Sequence, residues 1–110
     1  MLKDRIVRVR LNKSYQKQRP LSYVGKCTNF NNYWVVIDGR SCMVTRSQPN
    51  GVQLDAKSTI HVVPRNNIES IRVLPDDFDI KNIQISTEGQ QLVFVVKNGQ
   101  PCFIGEIGEG

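Results

Sequence analysis

The apolar residues of this chain come in short runs, and where they alternate the period is two. Val7, Val9 and Leu11 share one face of a strand predicted over residues 5–11, with Arg8 and Arg10 on the other. Residues 12–22 are polar, include Pro20 and predict a loop. A second strand is predicted over residues 23–29, and the pattern resumes over 33–38 after a bend at Phe30-Asn31-Asn32. Asp38-Gly39 predicts a tight turn into a third run, 41–45. Residues 47–57 contain Pro49 and Asn50-Gly51 and predict an excursion over one face. Strands over 59–63 and 68–74 stop at Pro64 and Pro75, joined by the polar turn Arg65-Asn66-Asn67. Beyond an acidic joint at Asp76, Asp77 and Asp79, three short strands are expected over 81–86, 91–97 and 101–107, with turns at Glu88-Gly89 and Asn98-Gly99. No segment of helical length carries an apolar stripe at helical spacing.

The pattern predicts an all-β fold. Short strands must close into a barrel or pack as two sheets to manage their edges, and at 110 residues a barrel is the economical choice. The expected division is a barrel over residues 1–75 and a C-terminal β extension over 76–110.

Charge adds a local feature. The first 26 residues hold eight lysines and arginines against the single acid Asp4, whereas the other 84 hold seven basic and nine acidic residues. Such an end suits a polyanion or a membrane headgroup layer, and it equally suits a solvated, solubilising terminus. Arg8, Arg10, Lys13, Lys17 and Arg19 form the candidate basic patch. Cys27, Cys42 and Cys102 show neither a CxxC pair nor zinc spacing, which predicts reduced, mostly buried thiols in a cytoplasmic setting. No signal peptide or membrane span is expected, because arginines interrupt the first apolar run and no long apolar window exists.

Catalysis requires titratable groups held together. His61, the single histidine, lies inside a predicted strand, where a structural or surface role is the expectation. The three aspartates lack an EF-hand pattern and read as a solvated joint. There is no glycine-rich phosphate loop. No catalytic, metal or cofactor site is predicted, and the chain is expected not to be an enzyme.

Two stretches carry a resemblance. One is Gly25 followed by Phe30-Asn31-Asn32-Tyr33 and the apolar run Trp34 to Ile37. The other runs from Ile60 to Ile71 through Pro64-Arg65-Asn66-Asn67. Together, residues 5–74 resemble the Sm-like family of Sm, LSm and Hfq proteins, which fold as a small, bent five-stranded barrel of SH3-like type. The chain departs from the family at Asn31, where an acid is usual, at Val35, where the Sm and LSm turn has asparagine, and at Asn66, where Sm and LSm proteins have glycine. The family's N-terminal helix is not expected here, since a strand is predicted almost from the first residue, and the last 36 residues have no counterpart in the short fold.

The resemblance implies a cyclic homo-oligomer of about five to eight subunits, joined through edge strands. It implies single-stranded RNA around a central pore. Tyr33 would stack on a base, Asn31 or Asn32 would bond a base edge, Arg65 would meet a phosphate or flank the base, and Asn66 would add a polar contact. Each residue also has an ordinary reading: the asparagines are good turn formers, Arg65 is a strand end and Tyr33 a surface aromatic. Of the neighbours Tyr33 and Trp34, the alternation expects one exposed and assigns Trp34 to the core or a subunit interface. The alternatives are a structural or assembly oligomer that binds no RNA, and a monomeric peptide-binding module.

Overall fold

The computed structural model describes residues 2–109. Among these residues, nine strands form two antiparallel sheets: β1 (Ile6–Leu11), β2 (Leu21–Phe30), β3 (Trp34–Val44), β4 (Val52–Leu54), β5 (Thr59–Pro64), β6 (Ile68–Val73), β7 (Ile85–Glu88), β8 (Gln91–Phe94) and β9 (Cys102–Glu106). The first sheet has the order β4-β3-β2-β1-β6, with β5 also paired to β3, and the second is β7-β8-β9. Helix among the described residues is confined to the single 3-10 turns Arg65–Asn67 and Ile80–Asn82.

β3 organises the first sheet. One edge pairs with β2 along almost its whole length, and the other serves β5 over Trp34–Gly39 and β4 over Cys42–Val44. The turn expected at Asp38-Gly39 does not form, because β3 runs straight through it. Gly39 instead lies opposite Gly25 of β2. A Cβ on Gly39 would stand 2.1 Å from the Val24 carbonyl oxygen, and one on Gly25 would stand 2.3 Å from that of Asp38. The glycines serve this backbone contact rather than a reversal of the chain.

Alternation gives the first sheet two apolar faces. Val7 and Val9 of β1, Cys27 of β2, Val35 and Ile37 of β3 and Val63 of β5 form one buried cluster. On the opposite face, Val24, Cys42, Val44 and Val52 meet Leu92 and Phe94 of β8, and Cys102 and Ile104 of β9, in a second cluster. Phe94, Ile104 and Leu74 are all but completely buried there. Each such side chain contributes about 1.5–3 kcal/mol on burial.

These findings correct the barrel expectation and the family resemblance drawn from it. The first sheet remains open: β6 pairs with β1, β5 pairs with β3, and β5 and β6 do not pair with each other. The molecule solves its burial problem by stacking a second sheet on the first, since an apolar outer face needs a cover that barrel closure would not supply. The all-β expectation stands. The Sm-like assignment does not, and the ring and pore implied by it lose their structural basis.

The C-terminal strands also shift from expectation. Residues 80–82 form a 3-10 turn capped by Asp79, whose carboxylate accepts the backbone N–H groups of Lys81 and Asn82, so β7 starts only at Ile85. The Glu88-Gly89 turn forms with Gly89 at φ 61°, and Asn98 takes φ 57° at the other predicted turn.

A Gly39→Ala substitution is expected to destabilise the fold by about 3 kcal/mol or more, because its methyl collides with the backbone of Val24 and Gly25. Urea unfolding monitored by circular dichroism measures this. Gly89→Ala, with open space around its Cβ and only a left-handed φ to accommodate, is expected to lose no more than about 1–2 kcal/mol.

Candidate functional site

The two polar turns flagged by the sequence meet at one end of the β3–β5 pair. Asn31 begins an Asx turn: its Oδ1 accepts the N–H of Tyr33 at 2.8 Å and that of Trp34 at 3.0 Å. Arg65, at the end of β5, donates its backbone N–H to the Tyr33 carbonyl at 2.9 Å. Its guanidinium donates to the Asn31 carbonyl at 3.1 Å and lies 4.8 Å from the centre of the Phe30 ring. Tyr33 and Trp34 form a tilted pair with ring centres 6.1 Å apart. Asn31, Tyr33 and Arg65 are therefore neighbours. Asn32 is exposed in the same turn, and Asn66 is held by its carbonyl to the Asn12 amide at 3.3 Å.

Tyr33 and Trp34 are both exposed, at 75% and 43%. The core position expected of Trp34 is taken by Val35, because β3 begins at Trp34 and its inward residues are Val35 and Ile37. Trp34 shares an outer face with Pro64, its partner in register on β5. Val62 and Ile60 continue this face, opposite Val36 and Asp38, and are 61% and 63% exposed. Sequence reasoning missed this apolar strip. Its signal was a strand with apolar residues on both faces, Ile60 and Val62 on one and Val63 on the other.

β5 is also an edge. Among the described residues its ladder runs to β3 alone. Edge strands usually carry a charge, a bulge or a cover. Thr59–Pro64 contains no charged residue, and its pairing with β3 runs without a register shift. Arg65 follows directly, with no carboxylate partner among the described residues.

The basic patch has a different fate. Arg8 and Arg10 project from the face of β1 that the second sheet covers. Arg8 is 6% exposed, and its guanidinium donates to the Phe103 carbonyl at 2.7 Å and the Ser70 hydroxyl at 3.1 Å. Burial lowers its pKa. Arg10 pairs with Glu69 at 3.3 Å and lies 4.6 Å from the Phe103 ring centre. Arg72, beside Arg8 in register, donates to the carbonyls of Gln100 and Pro101. Lys13 pairs with Glu109 at 2.9 Å. Lys17 and Arg19 are exposed. Four of these cations, counting Arg72, thus hold the C-terminal segment in place.

The remaining chemistry is sparse. The three thiols are free and buried, and burial pushes that of Cys42 up to about 12, against the opposing charge of Arg40. His61 accepts or donates a 2.9 Å bond with the Thr59 hydroxyl and packs on Tyr23. Asp76 pairs with Arg5 at 3.3 Å. No group of three metal-ligating side chains occurs among the described residues, and none of their helices is long and apolar enough to cross a membrane.

Fold and site together define a two-sheet β protein with an unguarded apolar edge. Set against protein-family models, curated proteins and solved structures, the chain finds no match in any of the three.

Arg8→Ala is expected to cost about 2–3 kcal/mol in urea unfolding, since it strands a buried carbonyl and removes packing. Lys17→Ala and Arg19→Ala should stay within about 0.5 kcal/mol of wild type. A pH effect follows from Glu109. Partial burial alone would raise its pKa, but Lys13, the Glu106 N–H and Arg10 hold it below its ordinary value of 4.5. A lowered folded pKa stabilises the protein above the unfolded value, and the contribution is lost as pH falls through the folded one. Glu109→Gln is therefore expected to be less stable than wild type at neutral pH, with the gap closing in unfolding curves taken below about pH 4.

Proposed function

We propose that this chain is a non-catalytic binding module that captures an extended segment of another protein along β5. The observation that carries the reading is the free, uncharged edge of β5, flanked by the exposed side chains of Ile60, Val62 and Trp34. A strand added there would gain backbone hydrogen bonds from the edge and side-chain contacts from the strip, the usual division of labour in β-strand addition. Tyr33, Trp34 and Arg65 belong to the residue types enriched where binding energy concentrates. Arg65, already steered by Phe30 and the Asn31 carbonyl, has no carboxylate partner among the described residues. The chain carries a net charge of +5. Both features select a partner segment that alternates apolar residues and bears a carboxylate at the Arg65 end.

Trp34 is the single tryptophan, so its emission reports on this surface. The test uses two end-capped eight-residue peptides alternating valine with threonine, one ending in aspartate and the other in lysine. The expected result is a saturable change in Trp34 emission, with the aspartate peptide binding about tenfold more tightly at low salt. Val62→Lys should abolish the change, and Arg65→Gln should remove the preference. Silence from both peptides, with concentration-dependent dimerisation in light scattering, would replace the partner by a second copy. A response to oligouridylate that Arg65→Gln removes, without a peptide response, would assign the surface to nucleic acid.

A further inference from the structure

A second surface shares no residue with the β5 strip. The loop after β3, the start of β7 and the turn after β9 enclose a cleft of about 570 Å³. That size falls within the range of small-molecule sites. Its apolar lining is Leu92 of β8, Ile85 of β7, Pro49 of the loop and Ile107 beyond β9. Leu92 is 4% exposed, whereas Ile107 stands at 46%, so the cleft has a fixed floor and an open apolar lip. The loop is held against this floor. Gly51 adopts φ 85°, and a Cβ there would lie 3.3 Å from the Leu92 side chain.

The polar lining divides in two. One set is committed to building the walls: Thr45 Oγ1 bonds Ser47, Asn50 Oδ1 accepts from the Val52 N–H, and Glu109 is held by Lys13 and the Glu106 N–H. The other set is uncommitted. Arg46, Ser86 and Thr87 line the cleft and are exposed, and among the described residues Arg46 makes neither an ion pair nor a side-chain hydrogen bond. The cleft's one acid, Glu109, already has its cation, while its one arginine has no anion. An apolar floor, two free hydroxyls and an unmatched guanidinium describe the complement of an amphipathic carboxylate.

We propose that this cleft binds a small amphipathic carboxylate, its hydrocarbon body against Leu92, Ile85 and Ile107 and its carboxylate on Arg46. The site would make the chain a ligand-responsive module, independently of what β5 holds.

The probe is decanoate at up to several millimolar, below its micellar range, added to the full chain and followed by methyl NMR, with decanol as the neutral control. Decanoate is expected to shift the methyls of Leu92, Ile85 and Ile107 saturably and to bind about tenfold more tightly than decanol. Arg46→Gln should bring decanoate down to the level of decanol. Ser86→Trp, which fills the cleft from its exposed rim, should abolish binding with an unchanged circular dichroism spectrum. Equal binding of decanoate and decanol, or an Arg46→Gln variant that binds like wild type, would overturn the carboxylate assignment. Absence of shifts at the methyls of these three residues would overturn the site.

Discussion

The contact between Gly25 and Gly39 is the constraint from which the architecture follows. Without a Cβ on either residue, the backbones of β2 and β3 approach so closely that any side chain would collide with a carbonyl. Asp38-Gly39 would otherwise reverse the chain. Held against Gly25, it becomes the middle of an 11-residue strand. That length gives β3 a free edge long enough for β4 and β5 in succession, and it places Val35 and Ile37 in one core and Cys42 and Val44 in the other.

Two cores on opposite faces of one sheet explain why the last third of the chain folds back. The outer face carries Val24, Cys42, Val44 and Val52 beside Arg8, Arg10 and Arg72. The cover must therefore satisfy hydrocarbon and guanidinium together. β8 and β9 do so with Leu92, Phe94 and Ile104 on the apolar part, and with the carbonyls of Gln100, Pro101 and Phe103 on the charged part. Neutral carbonyls give charge-assisted bonds without burying carboxylates as well, which limits the desolvation cost. Arg8, Arg10 and Lys13 of the basic N-terminus thus dock the chain's own C-terminal segment. β5 lies at an edge of the sheet, with Val63 in the core but its outer residues Ile60 and Val62 exposed, and the binding surface proposed for it arises from that position.

Much of this was legible in the sequence. The all-β class, most strand positions and the polar turn at 65–67 followed from period-two alternation and from proline and glycine placement. The meeting of Asn31, Tyr33 and Arg65 was indicated only by a family resemblance whose barrel the structure does not contain. Trp34 was assigned to the core or a subunit interface and lies outside the core, because local alternation cannot decide which of two neighbours faces the core when the strand's starting residue is unknown.

The sequence by itself determined much of the local conformation: residue spacing, turn chemistry and the uneven distribution of charge act over a few positions, and there the reading held for most strands but failed at Asp38-Gly39, at Val52–Leu54 and at Ile80–Asn82. Only the tertiary structure decided whether the sheet closed, that both faces of β1 were covered and which edge stayed free. Those outcomes depend on contacts between residues as distant as Arg8 and Phe103. An arginine in an alternating strand has the same sequence signature whether water or a carbonyl solvates it. The difference is made by the second sheet, whose apolar side chains must bury themselves on the one face of the first that is both uncovered and hydrophobic.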